Sequence, residues 1–217
     1  MKKFIKGVLL LAALFSVSVS ASEFKEGVHY QVFPVQKTKT PTVTEYFSFY
    51  CGNCYNMETR YLPLIKPELD KDISFNQKHV DYAQNQTSKA VVEAFAIMQE
   101  MGIEDDARLK EVMFEAMGGN HDHHSAPKGH EEKGPSVATL QDIKTILVAN
   151  GVDAASFDKA AKSPVVAEKV AKWDKEQSYY RINSIPTFVV NGKYKIIFKN
   201  LKTVEQLTDL MNYLADK

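Results

Sequence analysis

The first part of the chain alternates between strand-like and helix-like hydrophobic patterns. Residues 29–33 alternate weakly and predict a short strand, whereas residues 42–50 (TVTEYFSFY) are rich in β-branched and aromatic side chains and predict a stronger one. Residues 73–80 predict a third strand. Apolar side chains recur at helical spacing over residues 53–66, where Pro63 predicts a kink or an early end. The predicted order is therefore β-β-α-β.

The middle of the chain has a helical period instead. Between about residues 84 and 164, three groups of apolar side chains each line one face of a predicted helix, and each group is followed by glycine as a predicted helix end. Ser163 then predicts an N-cap, with Pro164 at the first position of a long helix.

Strand-like patterns return near the end of the chain. Residues 187–190 and 193–198 predict two strands on either side of Asn191-Gly192, which is a strong signal for a tight hairpin. Thr203 predicts the N-cap of a final amphipathic helix. The whole pattern therefore predicts an α/β fold that is interrupted by an all-helical insertion.

The N-terminal residues predict a targeting segment. A short basic start over residues 1–6 is followed by an apolar stretch over residues 7–19 and by small residues, which is typical of a secretory signal peptide cleaved after Ala21. The alternative is a membrane anchor, but the apolar stretch is shorter than the ~20 residues that a transmembrane helix needs. We therefore predict that residues 1–21 are a signal peptide and that the mature chain is secreted.

Charge and cysteine content narrow the function. Removing residues 1–21 takes away three lysines, which leaves 24 basic and 27 acidic residues and a formal charge of −3. This balance gives no electrostatic reason to expect a nucleic acid or an anionic membrane as partner. The chain has only two cysteines, three positions apart, whereas a secreted protein with a disulfide framework carries several at varied spacings. The pair therefore predicts chemistry rather than structural support.

Cys51 and Cys54 form a CxxC motif at the predicted junction of a strand and a helix. Zinc sites also use CxxC, but a structural zinc site needs four ligands and the chain has no third cysteine. Unpaired backbone N–H groups and the helix dipole stabilise an anion at a helix start, so we expect a lowered pKa and a nucleophilic thiolate at Cys51. We expect Cys54, one turn further along, to be shielded and to act as the resolving thiol.

Two further features belong with the dithiol. Strand parity places Glu45 on a face with apolar neighbours, where its pKa would rise and it could relay a proton for Cys54; an ordinary carboxylate paired with a lysine is the alternative. Ile185-Pro186 immediately precedes a predicted strand. A cis proline there would expose the backbone of Ile185 for pairing with an extended substrate, and a trans proline at the start of a strand is the alternative.

Four features occur in order over nearly all of the mature chain: EYFSFYCGNCY at residues 45–55, QKHV at 77–80, the helical insertion, and IPTFVVNGKY at 185–194. This combination resembles the DsbA family of periplasmic disulfide oxidases. The resemblance implies a thioredoxin-like fold. It divides the mature chain into a discontinuous thioredoxin-like domain, residues 22–83 and 168–217, and a helical insertion domain, residues 84–167.

The resemblance also implies roles for individual residues. It implies that the bond before Pro186 is cis and lies beside the dithiol, that Glu45 is a buried acid behind Cys54, and that Glu58 and Lys78 are the matching nearby charges. The implied activity is the introduction of disulfide bonds into unfolded or reduced secreted proteins of the periplasm, through the chain's own redox-active disulfide and without another cofactor. A quinone-linked membrane protein of the DsbB kind is the implied partner for reoxidation.

One departure from the family concerns the two residues between the cysteines. The family's usual dipeptide is Pro-His, and this chain has Gly52-Asn53. A histidine could donate a hydrogen bond or a positive charge to the thiolate, whereas Asn53 offers only a neutral amide, and Gly52 makes the turn less rigid than proline would. We therefore predict a less stabilised thiolate, and a milder oxidant, than in the family's strongest members.

Two other functions stay open on the sequence. The CGNC motif also fits a reductase or isomerase on the same fold, but such isomerases usually carry an N-terminal dimerisation domain, and residues 22–41 are too few for one, which favours a monomer. The second alternative is a periplasmic metal-binding protein that uses the dithiol with a histidine-rich segment, His121 to His130. A flexible solvated loop is the simpler explanation of that segment.

Overall fold

The computed structural model describes residues 24–118 and 137–217, so the predicted signal peptide and the histidine-rich segment lie outside the described residues. The described chain folds into a mixed sheet surrounded by helices. Its strands are β1 (Tyr30–Val32), β2 (Thr42–Phe47), β3 (Ser74–His79), β4 (Thr187–Val190) and β5 (Tyr194–Ile196). Its α-helices are α1 (Gly52–Asn56), α2 (Leu62–Ile65), α3 (Gln86–Glu100), α4 (Ala107–Ala116), α5 (Leu140–Ala149), α6 (Ala154–Ala161), α7 (Pro164–Tyr179) and α8 (Val204–Asp216).

The five strands lie in the order β1-β5-β4-β2-β3. β2 pairs in parallel with β3 and antiparallel with β4, so the strand that leads to the CxxC motif lies inside the sheet. The predicted hairpin between β4 and β5 is confirmed. Asn191 and Gly192 have φ values of 51° and 62°, and the Lys193 N–H donates to the Val190 carbonyl at 2.9 Å, which is the geometry of a type I′ turn.

The helix that carries the CxxC motif does not end at Pro63. α1 is followed by a π-helical turn, Met57–Tyr61, then by α2 and a 3₁₀ turn, Lys66–Glu68. Pro63 has no N–H to donate to the carbonyl four residues earlier. Directly before the proline, the Leu62 N–H donates to the Met57 carbonyl, which gives the wider π-helical turn. The helical path therefore widens ahead of the proline and continues beyond it.

The helices of the insertion follow the predicted pattern with one addition. α3, α4 and α5 lie where the three apolar groups predict them, and Ser163 and Thr203 cap α7 and α8 through hydrogen bonds from Val165 N (3.3 Å) and Gln206 N (3.2 Å). The helix α6 was not predicted. It is short and has only two buried side chains, so its apolar pattern is too brief to be recognised.

The insertion packs directly on the strand end that leads to Cys51. Phe47 and Phe49 contact Phe95 of α3 and Phe114 of α4, each with one ring-centroid distance of 4.9 Å. α7 runs without a break through the predicted boundary at residues 167 and 168, so the domain boundaries stay a prediction. In the described part of the chain, no helix combines the length and the apolar composition needed to cross a membrane.

Candidate active site

Cys51 is the N-cap residue of α1, and its sulfur lies where the helix leaves backbone donors unpaired. The Cys54 N–H donates to the Cys51 sulfur at 3.3 Å, and both thiols are free. The Cys54 thiol, which also donates to this sulfur, and the backbone N–H groups of Asn53 and Cys54 lower the pKa of Cys51 to about 6, although partial burial opposes the shift. A half-exposed thiolate at neutral pH follows from this arrangement.

Cys54 lies in the opposite environment. It is 1% exposed and belongs to the aromatic core beneath the insertion, with Phe47 and Phe49. Burial raises its pKa far above the ordinary value of a thiol, and the neighbouring Cys51 and Glu45 raise it further. The two sulfurs therefore differ in access and in charge, as the sequence predicted, although their chemical roles stay a proposal.

Glu45 lies behind Cys54 in a buried hydrogen-bonded network. It is 1% exposed, and its Oε2 accepts from Gln77 Nε2 at 2.7 Å, because these two residues are paired in register between β2 and β3. Gln77 Nε2 also donates to Glu58 Oε2 at 2.7 Å. Burial raises the pKa of Glu45 to about 8, against the lowering effect of the Gln77 hydrogen bond.

The positive charge in this network comes from the insertion. Lys110 of α4 is 2% exposed, and its Nζ donates to Glu58 Oε1 at 2.9 Å and to Gln77 Oε1 at 2.6 Å. Burying a lysine costs free energy unless it is paired, and this one is paired on two sides. The network thus joins the sheet, the CxxC helix and the insertion.

The expectation that Lys78 accompanies Glu45 is wrong. Lys78 is paired in register with Tyr46, and its side chain therefore leaves the sheet on the face opposite to Glu45. There its Nζ forms an ion pair with Glu176 of α7, which also accepts from Tyr46 Oη at 3.2 Å. The cation that contacts Glu58 and Gln77 is Lys110 instead.

The loop before β4 lies against the dithiol. The Ile185–Pro186 peptide bond is cis, as the resemblance implied. The Ile185 carbonyl lies 3.7 Å from the Cys51 sulfur, and Ile185 packs against the aromatic core under the insertion. A backbone carbonyl is therefore held beside the reactive sulfur, from a segment far away in the chain.

The two residues between the cysteines contribute through their backbone. Gly52 begins α1 and Asn53 is exposed. The backbone N–H of Asn53 helps to lower the pKa of Cys51. That the Gly-Asn dipeptide stabilises the thiolate less than Pro-His would stays a prediction.

Sequence reasoning assigned no role to Lys110, Gln77 or His79. Lys110 sits in the sequence next to Leu109 on an apolar helix face, and a lysine near such a face is the only local signal that it is buried. Among the described residues, no group of three or more His, Cys, Asp or Glu side chains could hold a metal ion. The histidine-rich segment lies outside those residues.

Comparisons with known proteins agree on the kind of site. A family model described as thioredoxin matches residues 36–212. The thiol:disulfide interchange protein DsbA of Pectobacterium carotovorum subsp. carotovorum is 31% identical over 216 residues, which cover 96% of each chain. The thiol:disulfide interchange protein DsbL of Escherichia coli O6:H1 is 30% identical over 221 residues, which cover 98% of this chain and 96% of that protein.

Solved structures agree on the fold. The disulfide oxidoreductase DsbA from Proteus mirabilis superposes with a TM-score of 0.71 at 25% identity, covering 90% of this chain and 98% of that one. A structure of Proteus mirabilis DsbA with a non-covalently bound peptide, PWATCDS, gives a TM-score of 0.74 and covers 90% of this chain and all of that one. These relatives favour neither the isomerase nor the metal-binding alternative.

Proposed function

Because this chain belongs to the thioredoxin-like family of thiol:disulfide oxidoreductases that includes DsbA, we propose that it introduces disulfide bonds into reduced or unfolded secreted proteins of the periplasm. As a thiol:disulfide oxidoreductase it acts through its own cysteine pair. The observation that carries the proposed direction is the contrast between the two sulfurs: Cys51 is half-exposed with a pKa of about 6, and Cys54 is buried with a raised pKa. Stabilising the Cys51 thiolate favours the reduced enzyme and so makes its disulfide more oxidising.

The reaction begins with the enzyme disulfide between Cys51 and Cys54. A client thiolate attacks the Cys51 sulfur, the Cys51–Cys54 bond breaks, and Cys54 leaves with the electron pair. A second client thiolate then attacks the client sulfur of the mixed disulfide, and Cys51 leaves as a thiolate. The client loses two electrons and gains a disulfide, and the enzyme ends as the dithiol.

Glu45 is the proposed proton source for Cys54. The departing Cys54 sulfur needs a proton, because burial raises its pKa. Glu45 carries one at neutral pH, since burial raises its pKa to about 8, and it lies close enough to Cys54 for its ionised form to raise the pKa of that thiol. Gln77 and the ion pair of Glu58 with Lys110 hold this acid in place through the contacts described above.

We propose that the loop before β4 orients the client. The Ile185 carbonyl beside the Cys51 sulfur can accept from a backbone N–H of an extended client chain, with Pro186 fixing the loop that carries it. Gly52 and the exposed Asn53 lie beside Cys51 at the start of α1, where a client approaches.

The proposal is tested by equilibrating the protein with glutathione buffers and then mixing the oxidised form with a reduced model protein. We expect oxidation of the client and a more oxidising potential than that of thioredoxin, about −270 mV. Cys51→Ser should abolish oxidation, and Cys54→Ala should accumulate mixed disulfides with a glutathione-activated client because the resolving thiol is missing. Net reduction of the client's disulfides under the same buffers would contradict the proposed direction.

We further propose that the mature chain is a periplasmic monomer that a quinone-linked membrane protein of the DsbB kind reoxidises. The secretory pattern of residues 1–21 supports export. Light scattering of the mature chain and reoxidation in membranes with and without such a quinone reductase test the two parts separately.

A further inference from the structure

A cavity lies between the end of β3, α3 and α7, and no step of the proposed reaction uses it. Its volume is about 680 Å³, within the range of pockets that bind small molecules or short peptide segments. One wall is aliphatic and comes from Val92 of α3 and from Val166 and Val170 of α7. We call it the α3–α7 pocket.

His79 gives this pocket a hydrogen-bond donor without an acceptor. The side chain is 2% exposed and lines the cavity, and its Nε2 accepts from the Phe49 N–H at 3.0 Å. An accepting Nε2 on a neutral ring places the proton on Nδ1. Burial lowers the pKa of His79 to about 3, against opposing effects of the Val80 backbone and of Asp81, so the ring stays neutral. Nδ1 makes no hydrogen bond of normal geometry within the described residues. A ligand with an acceptor atom would satisfy this buried donor.

The rim of the pocket carries an excess of negative charge. Asp81, Glu93 and Asp174 line it, against a single lysine, Lys89. Asp81 accepts from the Gln84 N–H and the Ser88 hydroxyl, whereas Glu93 and Asp174 make no hydrogen bond or ion pair with any part of the chain that the structure describes. Two free carboxylates beside an aliphatic wall match a basic side chain with a long apolar stem.

The pocket and the dithiol share one loop. Asp81 lines the pocket, and burial together with the charge of Asp81 raises the pKa of Tyr50, which directly precedes Cys51. Burial of part of its ring raises the pKa of Tyr82, the residue after Asp81, to about 12, and the charges of Cys54 and Cys51 raise it further. Reciprocal hydrogen bonds between the Gln177 side chain and the backbone of Asp81 hold this loop against α7 (2.8 and 3.1 Å). A chain bound at the dithiol can therefore extend along the loop into the pocket.

The geometry points to a client subsite: we infer that the α3–α7 pocket binds a basic segment of the substrate polypeptide, with a Lys or Arg side chain between Glu93 and Asp174 and a backbone carbonyl accepting from His79 Nδ1. This inference rests on the proposed function, since it takes the substrate to be a polypeptide. It adds a preference for clients in which lysine or arginine lies near a cysteine.

Binding is measured directly with cysteine-free fluorescent octapeptides, one containing two lysines and one containing two glutamates in the same positions. We expect the mature protein to bind the lysine peptide more tightly. Glu93→Gln combined with Asp174→Asn should weaken the lysine peptide about three- to tenfold. The control, Glu168→Gln combined with Asp209→Asn, removes two exposed carboxylates outside the pocket and should change its affinity by less than twofold. Equal affinity for both peptides, or equal loss in both variants, would overturn the inference.

The position of the bound peptide is tested on the unmodified chain by NMR of the His79 ring. Binding of the lysine peptide should shift and protect the Nδ1–H signal, because that proton gains an acceptor, and an unchanged signal at saturation would exclude the site. Dithiothreitol is too small to contact the dithiol and the α3–α7 pocket at once, so its oxidation tests the dithiol chemistry separately. A protein that oxidises dithiothreitol but ignores peptide charge retains the proposed function and lacks the subsite.

Discussion

The two faces of the central sheet each hold a lysine paired with a carboxylate, yet only one of the two clusters adjoins the reactive sulfurs. Gln77 and Lys78 are consecutive residues of β3, so their side chains leave the sheet on opposite sides. On one side, Gln77 joins Glu45 and Glu58 to Lys110. On the other side, Lys78 pairs with Glu176.

The difference between the clusters lies in their charge balance. Lys78 pairs with Glu176, which also lies 3.9 Å from Lys172, so no negative charge is left unpaired there. In the other cluster Lys110 and Lys66 meet three carboxylates, Glu58, Asp105 and Glu45, so one negative charge would be left unpaired if Glu45 were ionised. Such a site keeps a proton instead, on the more deeply buried acid, Glu45. The excess acid, rather than the ion pair, therefore makes the cluster around Glu45 useful for chemistry.

The largest expected effect is on stability. Lys110→Met removes the buried cation that donates to Glu58 and Gln77, so we expect the free energy of unfolding to fall by ~3 kcal/mol. Lys78→Met should cost about 1 kcal/mol, because that pair lies nearer to solvent, with 17% of the lysine side chain exposed. Urea unfolding measures both, and equal losses would show that the two faces do not differ in this way.

The next effect concerns pH. The pKa of Glu45 is about 8 in the folded chain against an ordinary 4.5, so between these values the folded form keeps a proton that the unfolded form releases. The contribution of Glu45 to the free energy of unfolding is largest below pH 4.5 and decreases as the pH rises towards 8, by at most ~1.4 kcal/mol per pH unit. Glu45→Gln should remove that slope.

This experiment is best made with Cys51→Ser in both proteins. The lowered pKa of Cys51 gives stability that rises between about pH 6 and 9 and would partly conceal the fall due to Glu45. Denaturant unfolding at several pH values then compares the two chains. Identical slopes would place the raised pKa on another group.

A smaller effect is expected between the cysteines. Asn53→His adds a positive charge or a stronger donor near the Cys51 sulfur, and we expect its pKa to fall by about one unit from the present value of about 6. The ultraviolet absorbance of the thiolate follows this titration. Asn56→His, one turn further along the helix, is the matched control and should have less effect.

The smallest effect is expected from Lys78→Met on the chemistry. Because Lys78 lies on the face away from Glu45, its loss should leave the thiolate titration of Cys51 and the rate of client oxidation unchanged. Lys110→Met, measured in the same assays, should alter the pH dependence of the steps that involve Cys54. A strong effect of Lys78→Met on oxidation would remove the distinction between the two faces.

Local patterns were enough to predict most of the elements. β-Branched and aromatic composition located β2, polar caps located the starts of α7 and α8, and Asn191-Gly192 located the hairpin, because each signal depends only on residues close in sequence. α6 was not predicted, because its two buried side chains are too few to make a recognisable helical period. The strand predicted over residues 42–50 ends at Phe47, since the chain turns there towards the helix start.

The cation near Glu45 could not be predicted in the same way. Choosing Lys78 required the register of β3 against β2, and that register places Gln77 opposite Glu45. Recognising Lys110 required knowing how the insertion docks on the sheet. Neither piece of information is contained in the residues adjacent to Glu45.

The sequence was sufficient for the reactive pair, because a CxxC at a strand-to-helix junction sets the access and the ionisation of Cys51 through neighbours within one helical turn. The proton behind Cys54 and the carbonyl beside Cys51 depend on long-range contacts instead. Lys110, Glu58 and Ile185 reach the site from separate elements, and only the packing of these elements brings their charges and backbone together. Buried electrostatics act over a few ångströms in space, whatever the separation along the chain.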